Sequence, residues 1–224
     1  VYMKRAVELT PEQSDAYVQM KNLALARLDS GDLSTTQNVL TQIMRLQQIC
    51  LGSLTDDDGE VHPLKSNRLT ELLDICDEIQ GKAIIWATWT RDIVSIAEAL
   101  RDRFSVQAVA TLHGGTPDSD RQQIVETFQD RQSELRFIVG HPKTGGYGLT
   151  LTAASTVVYY SNSYDLELRL QSEDRAHRIG QENKVTYIDL ISPKTIDEKI
   201  VNALRDKIKI ADLVLGEDAR SWLE

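Results

Sequence analysis

Residues 83–87 read Ala83-Ile84-Ile85-Trp86-Ala87, and residues 136–140 read Arg136-Phe137-Ile138-Val139-Gly140. Each is a short, nearly continuous apolar run, the pattern of a strand buried on both faces. Working outward from them, the chain alternates. An amphipathic helix is predicted over 67–79, before the first run. A helix over 93–100, a strand over 106–112 and a helix over 118–128 separate the two runs. Beyond the second come a strand over 156–160, a helix over 166–177, a strand over 185–191 and a helix over 195–208. Strands and helices in alternation predict an α/β fold, a mostly parallel sheet covered on both faces by helices in three α/β/α layers. Ligands of such sheets bind beyond the carboxyl ends of the strands. The site is therefore expected on the loops after Ala87, Leu112, Gly140 and Tyr160.

Ahead of this region stands a helical appendage. Thr10 followed by Pro11 reads as an N-cap and a first helical residue. Tyr17, Met20, Leu23, Leu25 and Leu28 carry the helix to about Asp29. Ser30-Gly31-Asp32 breaks it, and a second helix restarts at Ser34 or Thr35, with Val39, Ile43, Leu46 and Cys50 on one face. Asp56 to Glu60 reads Asp-Asp-Asp-Gly-Glu. Asp-Gly is a strong turn signal, so a short solvated hairpin is expected there; a metal loop is the sharper reading, but the spacing is not that of an EF-hand. The expected division is an appendage and hairpin over 1–64, the α/β lobe over 65–212 and a tail over 213–224. Val1 to Leu9 reads as mid-chain sequence, so the chain is expected to be a fragment, although a processed tag gives the same start.

The 224 residues carry 25 Lys and Arg against 34 Asp and Glu, a net charge of −9. Gripping nucleic acid by bulk positive charge is excluded, and any such contact must come from a few placed groups. Cys50 and Cys76 sit in apolar helical patterns and are expected as core residues of a protein from a reducing, cytoplasmic compartment. No stretch approaches the length of a membrane-spanning helix, and no signal peptide is visible.

The unusual residues fall on the expected loops. His141-Pro142-Lys143-Thr144-Gly145-Gly146-Tyr147-Gly148-Leu149-Thr150 follows the second strand. Its glycines let the backbone approach a partner, and exposed amides there can cradle phosphate; the plainer reading is a tight connection. It is no Walker A loop, because Lys143 precedes the glycines. Gln171-Ser172-Glu173-Asp174-Arg175-Ala176-His177-Arg178-Ile179-Gly180-Gln181 places Gln171, Asp174, Arg175 and Arg178 along one helix face. That face reads either as a solvated stripe or as an arginine fork for polyphosphate. Leu112-His113-Gly114-Gly115, with Arg121 seven residues after Gly114, says little alone.

Taken together and in this order, these segments resemble the second lobe of superfamily-two helicases, and most closely the Swi/Snf-type DNA translocases. Asp174 to Gln181 (DRAHRIGQ) resembles that family's motif VI, and His141 to Ala154 its motif V. Leu112 to Thr116 with Arg121 resembles the preceding motif, and 83–87 stands in the place of motif IV. Leu9 to Gln13 with Tyr17, Leu46 to Cys50, Lys65 with Leu69, and Thr195 to Ile200 extend the likeness over nearly the whole chain. The chain departs from the family at Thr144, Thr150 and Tyr164-Asp165-Leu166, which points to a bacterial or phage-borne branch.

The resemblance implies a RecA-like lobe that works opposite an N-terminal RecA-like lobe. The partner lobe would hold most of the ATP and Mg²⁺, and this chain alone would be monomeric and inactive. Arg175 and Arg178 would be arginine fingers, with Gln171, Asp174, Gly146 and Gly148 at the nucleotide. His113, Gly114, Arg121, Lys143, Thr144, Gly145 and Thr150 would touch the backbone of double-stranded DNA. No metal site is expected on this chain. The alternatives are a strand-separating helicase subunit of a restriction or repair system, and a catalytically silent module that binds a partner.

Overall fold

Every residue of β4 (Lys82–Trp86) is buried, and this strand positions the rest. In the computed structural model it lies inside a six-stranded sheet, between β7 (Ala154–Tyr159) and β6 (Phe137–Gly140). Beyond β6 is β5 (Val109–Leu112); beyond β7 are β8 (Thr186–Ile191) and then β1 (Tyr2–Ala6). The four pairings from β8 to β5 are all parallel. The structure describes residues 1–31, 36–56, 58–144, 149–178, 181, 184–207 and 219–223.

Register decides where the loops emerge. Trp86 stands opposite Gly140, and Gly140 opposite Leu112. Three neighbouring strands therefore end level, and the loops after them leave from one edge. Gly140 makes this possible: a Cβ there would lie 2.5 Å from the Leu112 carbonyl oxygen. The same oxygen accepts the His141 amide at 3.0 Å.

The chain divides into two compact units. The first comprises residues 1–5, 69–163 and 167–190. It contains the sheet, α4 (Thr90–Arg103), α5 (Asp118–Gln129) and most of α3 (Arg68–Glu78) and α6 (Leu166–Ala176). Ile84, Trp86, Leu112, Phe128, Ile138, Leu151, Val157 and Tyr159 form one of its cores. Lys82 enters this unit as a buried cation. Its Nζ donates to the carbonyls of Phe128 and Asp130 and to Ser133 Oγ, closing the carboxyl end of α5.

The second unit comprises residues 6–68, 164–166 and 191–224. It holds α1 (Pro11–Asp29), α2 (Thr36–Cys50), the hairpin β2 (Ser53–Thr55) with β3 (Val61–Pro63), α7 (Ile196–Arg205) and α8 (Ala219–Leu223). Thr10 and Gln13 form a capping box at the start of α1. Ala24, Val39, Ile43, Leu46, Ile196, Ile200 and Leu204 share one core with Trp222 and Leu223. The predicted turn is present: Asp56 Oδ1 accepts the amides of Asp58 and Glu60, and Gly59 has φ +85°. Glu60 and His62 complete the only cluster of metal-ligating side chains among the described residues, and His62 Nε2 lies 2.8 Å from Asp56 Oδ2. Both cysteines are free and buried, their thiols pushed up to about 12 by burial.

Several details differ from the sequence expectations. β1 was not anticipated; it adds an edge strand beside β8, where the Tyr187 amide donates to the Val1 carbonyl. β5 starts at Val109 rather than Val106, because Ser105 Oγ accepts the Ala108 amide and turns the chain first. The start expected for the second helix at Ser34 or Thr35 lies outside the described residues. Among the described residues no helix is long and apolar enough to cross a membrane.

Candidate nucleic-acid and nucleotide interface

The loops after β4, β5 and β6 open onto a cleft of about 380 Å³. It is lined by Thr90, His113, Gly114, Arg121, His141, Lys143 and Thr144. Five of these were singled out in the sequence: His113, Gly114, Arg121, Lys143 and Thr144. Gly145 lies outside the described residues. Thr150 is not in the lining; its Oγ1 faces Arg178 instead. The fourth expected loop, after β7, touches the first: Ser161 Oγ accepts the Thr88 amide at 2.8 Å.

Thr90 and His141 were missed. Thr90 is the first residue of α4, immediately beyond the central strand, and His141 follows β6 directly. Position at a carboxyl strand end was the signal that could have found both.

Local chemistry folds each wall. Thr116 Oγ1 accepts the His113 amide and His113 Nδ1 accepts the Gly115 amide, which closes the 113–116 turn. α5 starts directly after, and Arg121 reaches back from it to Asp118 at 3.0 Å. Arg121 Nε is buried without a hydrogen-bond partner, a donor with capacity for an incoming acceptor. On the opposite wall His141 Nδ1 accepts the Lys143 amide at 2.9 Å, which leaves Nε2 to carry the ring proton. Burial holds the His141 pKa below the usual histidine range, and Lys143 and Arg175 lower it further. Among the described residues no carboxylate is in the lining. A locally cationic cleft thus exists on a chain of net charge −9.

The second constellation sits at the end of α6. Gln171, Asp174 and Arg178 are exposed, whereas Arg175 is 4% exposed. The single face expected from the spacing is therefore split. Arg175 Nη1 donates to the Thr144 carbonyl at 2.9 Å, and its guanidinium lies 5.3 Å from the centre of the Trp86 ring. Arg178 Nη1 reaches Thr150 Oγ1 at 3.4 Å. Gly146, Gly148 and Gly180 lie outside the described residues.

A buried network that sequence reading missed fixes α6 to the sheet. Arg169 Nη1 lies 2.5 Å from Asp189 Oδ1 and 2.6 Å from Asn162 Oδ1, and its Nε meets Glu173 Oε1 at 2.6 Å. Its guanidinium stacks 3.6 Å from the centre of the Tyr159 ring. Glu173 is the i+4 neighbour on the same helix, but Asn162 and Asp189 lie on other elements, and no local pattern announces the pairing with Asp189.

Comparison with known proteins agrees with this arrangement. The profile of the family described as "Helicase conserved C-terminal domain" matches residues 64–180. The chain is 39% identical over 159 residues to the "Chromatin-remodeling ATPase INO80" of Mycosarcoma maydis, covering 70% of this chain and 8% of that protein. It is 28% identical over 226 residues to the "Putative ATP-dependent helicase/translocase YwqA" of Bacillus subtilis, covering 98% of this chain and 24% of that one. The chain thus spans under a quarter of the length of either relative. Among solved structures, the "Sulfolobus solfataricus SWI2/SNF2 ATPase core in complex with dsDNA" superposes with a TM-score of 0.70 at 25% identity, over 98% of this chain and 47% of that one. A parallel sheet of this order, with the basic cleft at its carboxyl edge and the arginine-bearing helix beside it, is thereby placed: the chain belongs to the helicase conserved C-terminal domain family, as a lobe of the SWI/SNF type.

Proposed function

We propose that this chain is the C-terminal motor lobe of an ATP-driven translocase on double-stranded DNA. The observation that carries the reading is convergence: five residues chosen from separate stretches of sequence line one cleft beyond the level ends of β4, β6 and β5. The hydroxyl, imidazole, guanidinium and ammonium donors of the described lining suit phosphate oxygens. Backbone contact is independent of sequence, as a motor on DNA requires.

ATP would lie between this lobe and an N-terminal lobe of the same protein, which would also supply the ligands of Mg²⁺. Phosphoryl transfer spreads negative charge over the departing group, so catalysis rests on positioning and charge stabilisation. Arg178, exposed at the end of α6, would supply that charge, with Gln171 and Asp174 exposed on the preceding turns. Closure of the two lobes around ATP, and opening after hydrolysis, would step the cleft along the duplex.

The test is steady-state ATP turnover by the full-length protein with and without duplex DNA. Arg178→Ala should lower turnover about a thousandfold with ATP binding retained. Near-normal turnover would remove Arg178 from the chemistry and bring the partner-binding reading forward.

A further inference from the structure

We propose that Glu173 is a positioning residue for ATP turnover: it fastens the edge strand β1 to α6 and so fixes the last turn of the helix, from which Arg178 projects. This rests on the reading above, in which Arg178 meets the nucleotide.

Both carboxylate oxygens of Glu173 are engaged, and by different elements. Oε1 accepts Arg169 Nε at 2.6 Å, from one turn earlier on the same helix. Oε2 accepts the Tyr2 hydroxyl at 2.8 Å, from β1, 171 positions away in sequence. The backbone of Glu173 is held as well. Its carbonyl accepts the His177 amide at 3.1 Å and the Tyr187 hydroxyl of β8 at 3.1 Å. The rings of Tyr2 and Tyr187 stack, with centres 5.0 Å apart and planes 19° apart. Tyr2, Glu173 and Tyr187 therefore close a ring of contacts across β1, α6 and β8. Burial and the Glu173 carboxylate push the Tyr2 phenol up to about 12, so it stays a donor throughout the neutral range.

Position gives these contacts their consequence. α6 ends at Ala176. The bond from the His177 amide to the Glu173 carbonyl closes its last turn, and Arg178 follows one residue later. Arg169 anchors the helix to Asp189 and Asn162, but that anchor lies about two and a half turns before Arg178. Glu173 carries it one turn closer and adds β1 to it. All five residues of β1 are exposed, and the strand reaches α6 through the Tyr2 side chain. A misplacement of about 1 Å at a reacting centre costs about a hundredfold in rate. A turn fixed through both its carboxylate and its peptide carbonyl meets that demand.

The test uses the full-length protein with duplex DNA. It reads kcat and KM for ATP, the affinities for ADP and for ADP with aluminium fluoride (a mimic of the transferring phosphoryl group), and the unfolding midpoint. Tyr2→Phe keeps the stacked ring and removes only the hydroxyl. It should lower kcat about fivefold and weaken the aluminium fluoride complex by the same factor, with KM and ADP affinity unchanged. Glu173→Ala should lower both about tenfold. Adding Tyr2→Phe to it should cost nothing further, because the partner is already gone. Glu173→Gln keeps one acceptor oxygen and should recover part of the loss. The proposal is overturned if Tyr2→Phe lowers only the unfolding midpoint, or leaves kcat and the aluminium fluoride affinity unchanged. It is equally overturned if the effects of Tyr2→Phe and Glu173→Ala multiply. Tyr2 is 53% exposed, so Tyr2→Phe keeps the test decisive even where Glu173→Ala fails to fold. Arg178→Ala separates the two readings. Near-normal turnover in that variant sinks the parent reading first; a loss of about a thousandfold beside an unaffected Tyr2→Phe sinks this one alone.

Discussion

Arg169 and Asp189 meet across 20 residues of sequence with Nη1 and Oδ1 2.5 Å apart, and both side chains are almost wholly buried. The pair joins α6 to β8, with Tyr159 beneath it and Asn162 and Glu173 taking the remaining donors. Removing one partner strands the other charge away from water. Arg169→Ala should therefore cost about 3–5 kcal/mol in a urea-unfolding experiment. Replacing both residues by apolar ones of similar volume should recover much of that loss. A double substitution as unstable as the single one would mean that the network's neighbours, rather than the unpaired charge, set the cost.

Gly140 occupies a place that no larger residue fits. A Cβ there meets the Leu112 carbonyl oxygen at 2.5 Å, between two backbones that both hold their strands. Gly140→Ala should destabilise the lobe by about 1–3 kcal/mol through the forced backbone shift. It should also disturb the cleft, because His141 follows directly and its amide bonds to that same oxygen. The expected result is a lowered unfolding midpoint together with weakened duplex binding. Full stability would show that β5 and β6 can separate at their ends without cost.

The alternation from 83 to 191 was legible because strands buried on both faces are written as short apolar runs between amphipathic helices. The cleft was legible for a related reason: parallel strands deliver their loops to one edge, so His113 and Lys143 could be grouped before any distance was known. β1 was not legible. Its residues Tyr2 to Ala6 are all exposed and carry no apolar run, and the strand exists through pairing with β8 at the far end of the chain. α8 is five residues long, and Trp222 and Leu223 find their place only against α1, α2 and α7. The inward turn of Arg175 was hidden for a third reason. Spacing gives a face, but Thr144 and Trp86 decide which arginine on it is drawn inside.

Arg121 provides a test of the cleft that does not involve ATP. It lines the cleft, is held by Asp118, and keeps a buried Nε without a partner. If it neutralises one phosphate, Arg121→Ala should weaken duplex binding and reduce the slope of log affinity against log salt by about 0.9. The same loss should appear across unrelated DNA sequences, since a backbone contact carries no base information. An unchanged salt slope would take Arg121 off the DNA path.

His141 should make duplex binding depend on pH. Burial, Lys143 and Arg175 hold its pKa below the usual histidine range, so the ring is neutral in the free protein near pH 7. In the folded chain this depressed pKa contributes stability above the ordinary histidine value of about 6.5 and loses it as pH falls. A phosphate in the cleft reverses the balance, because an anion beside the ring favours its charged form. Binding then takes up a proton, and duplex affinity should rise as pH falls below about 7, by no more than about tenfold per pH unit. His141→Gln keeps a neutral donor but cannot titrate, so it should flatten this slope while leaving affinity near pH 8 within about threefold. Anisotropy titrations from pH 8 to about 6 at fixed ionic strength measure both quantities. A slope that survives the substitution would take the proton off His141 and leave it as a residue that shapes the turn to Lys143.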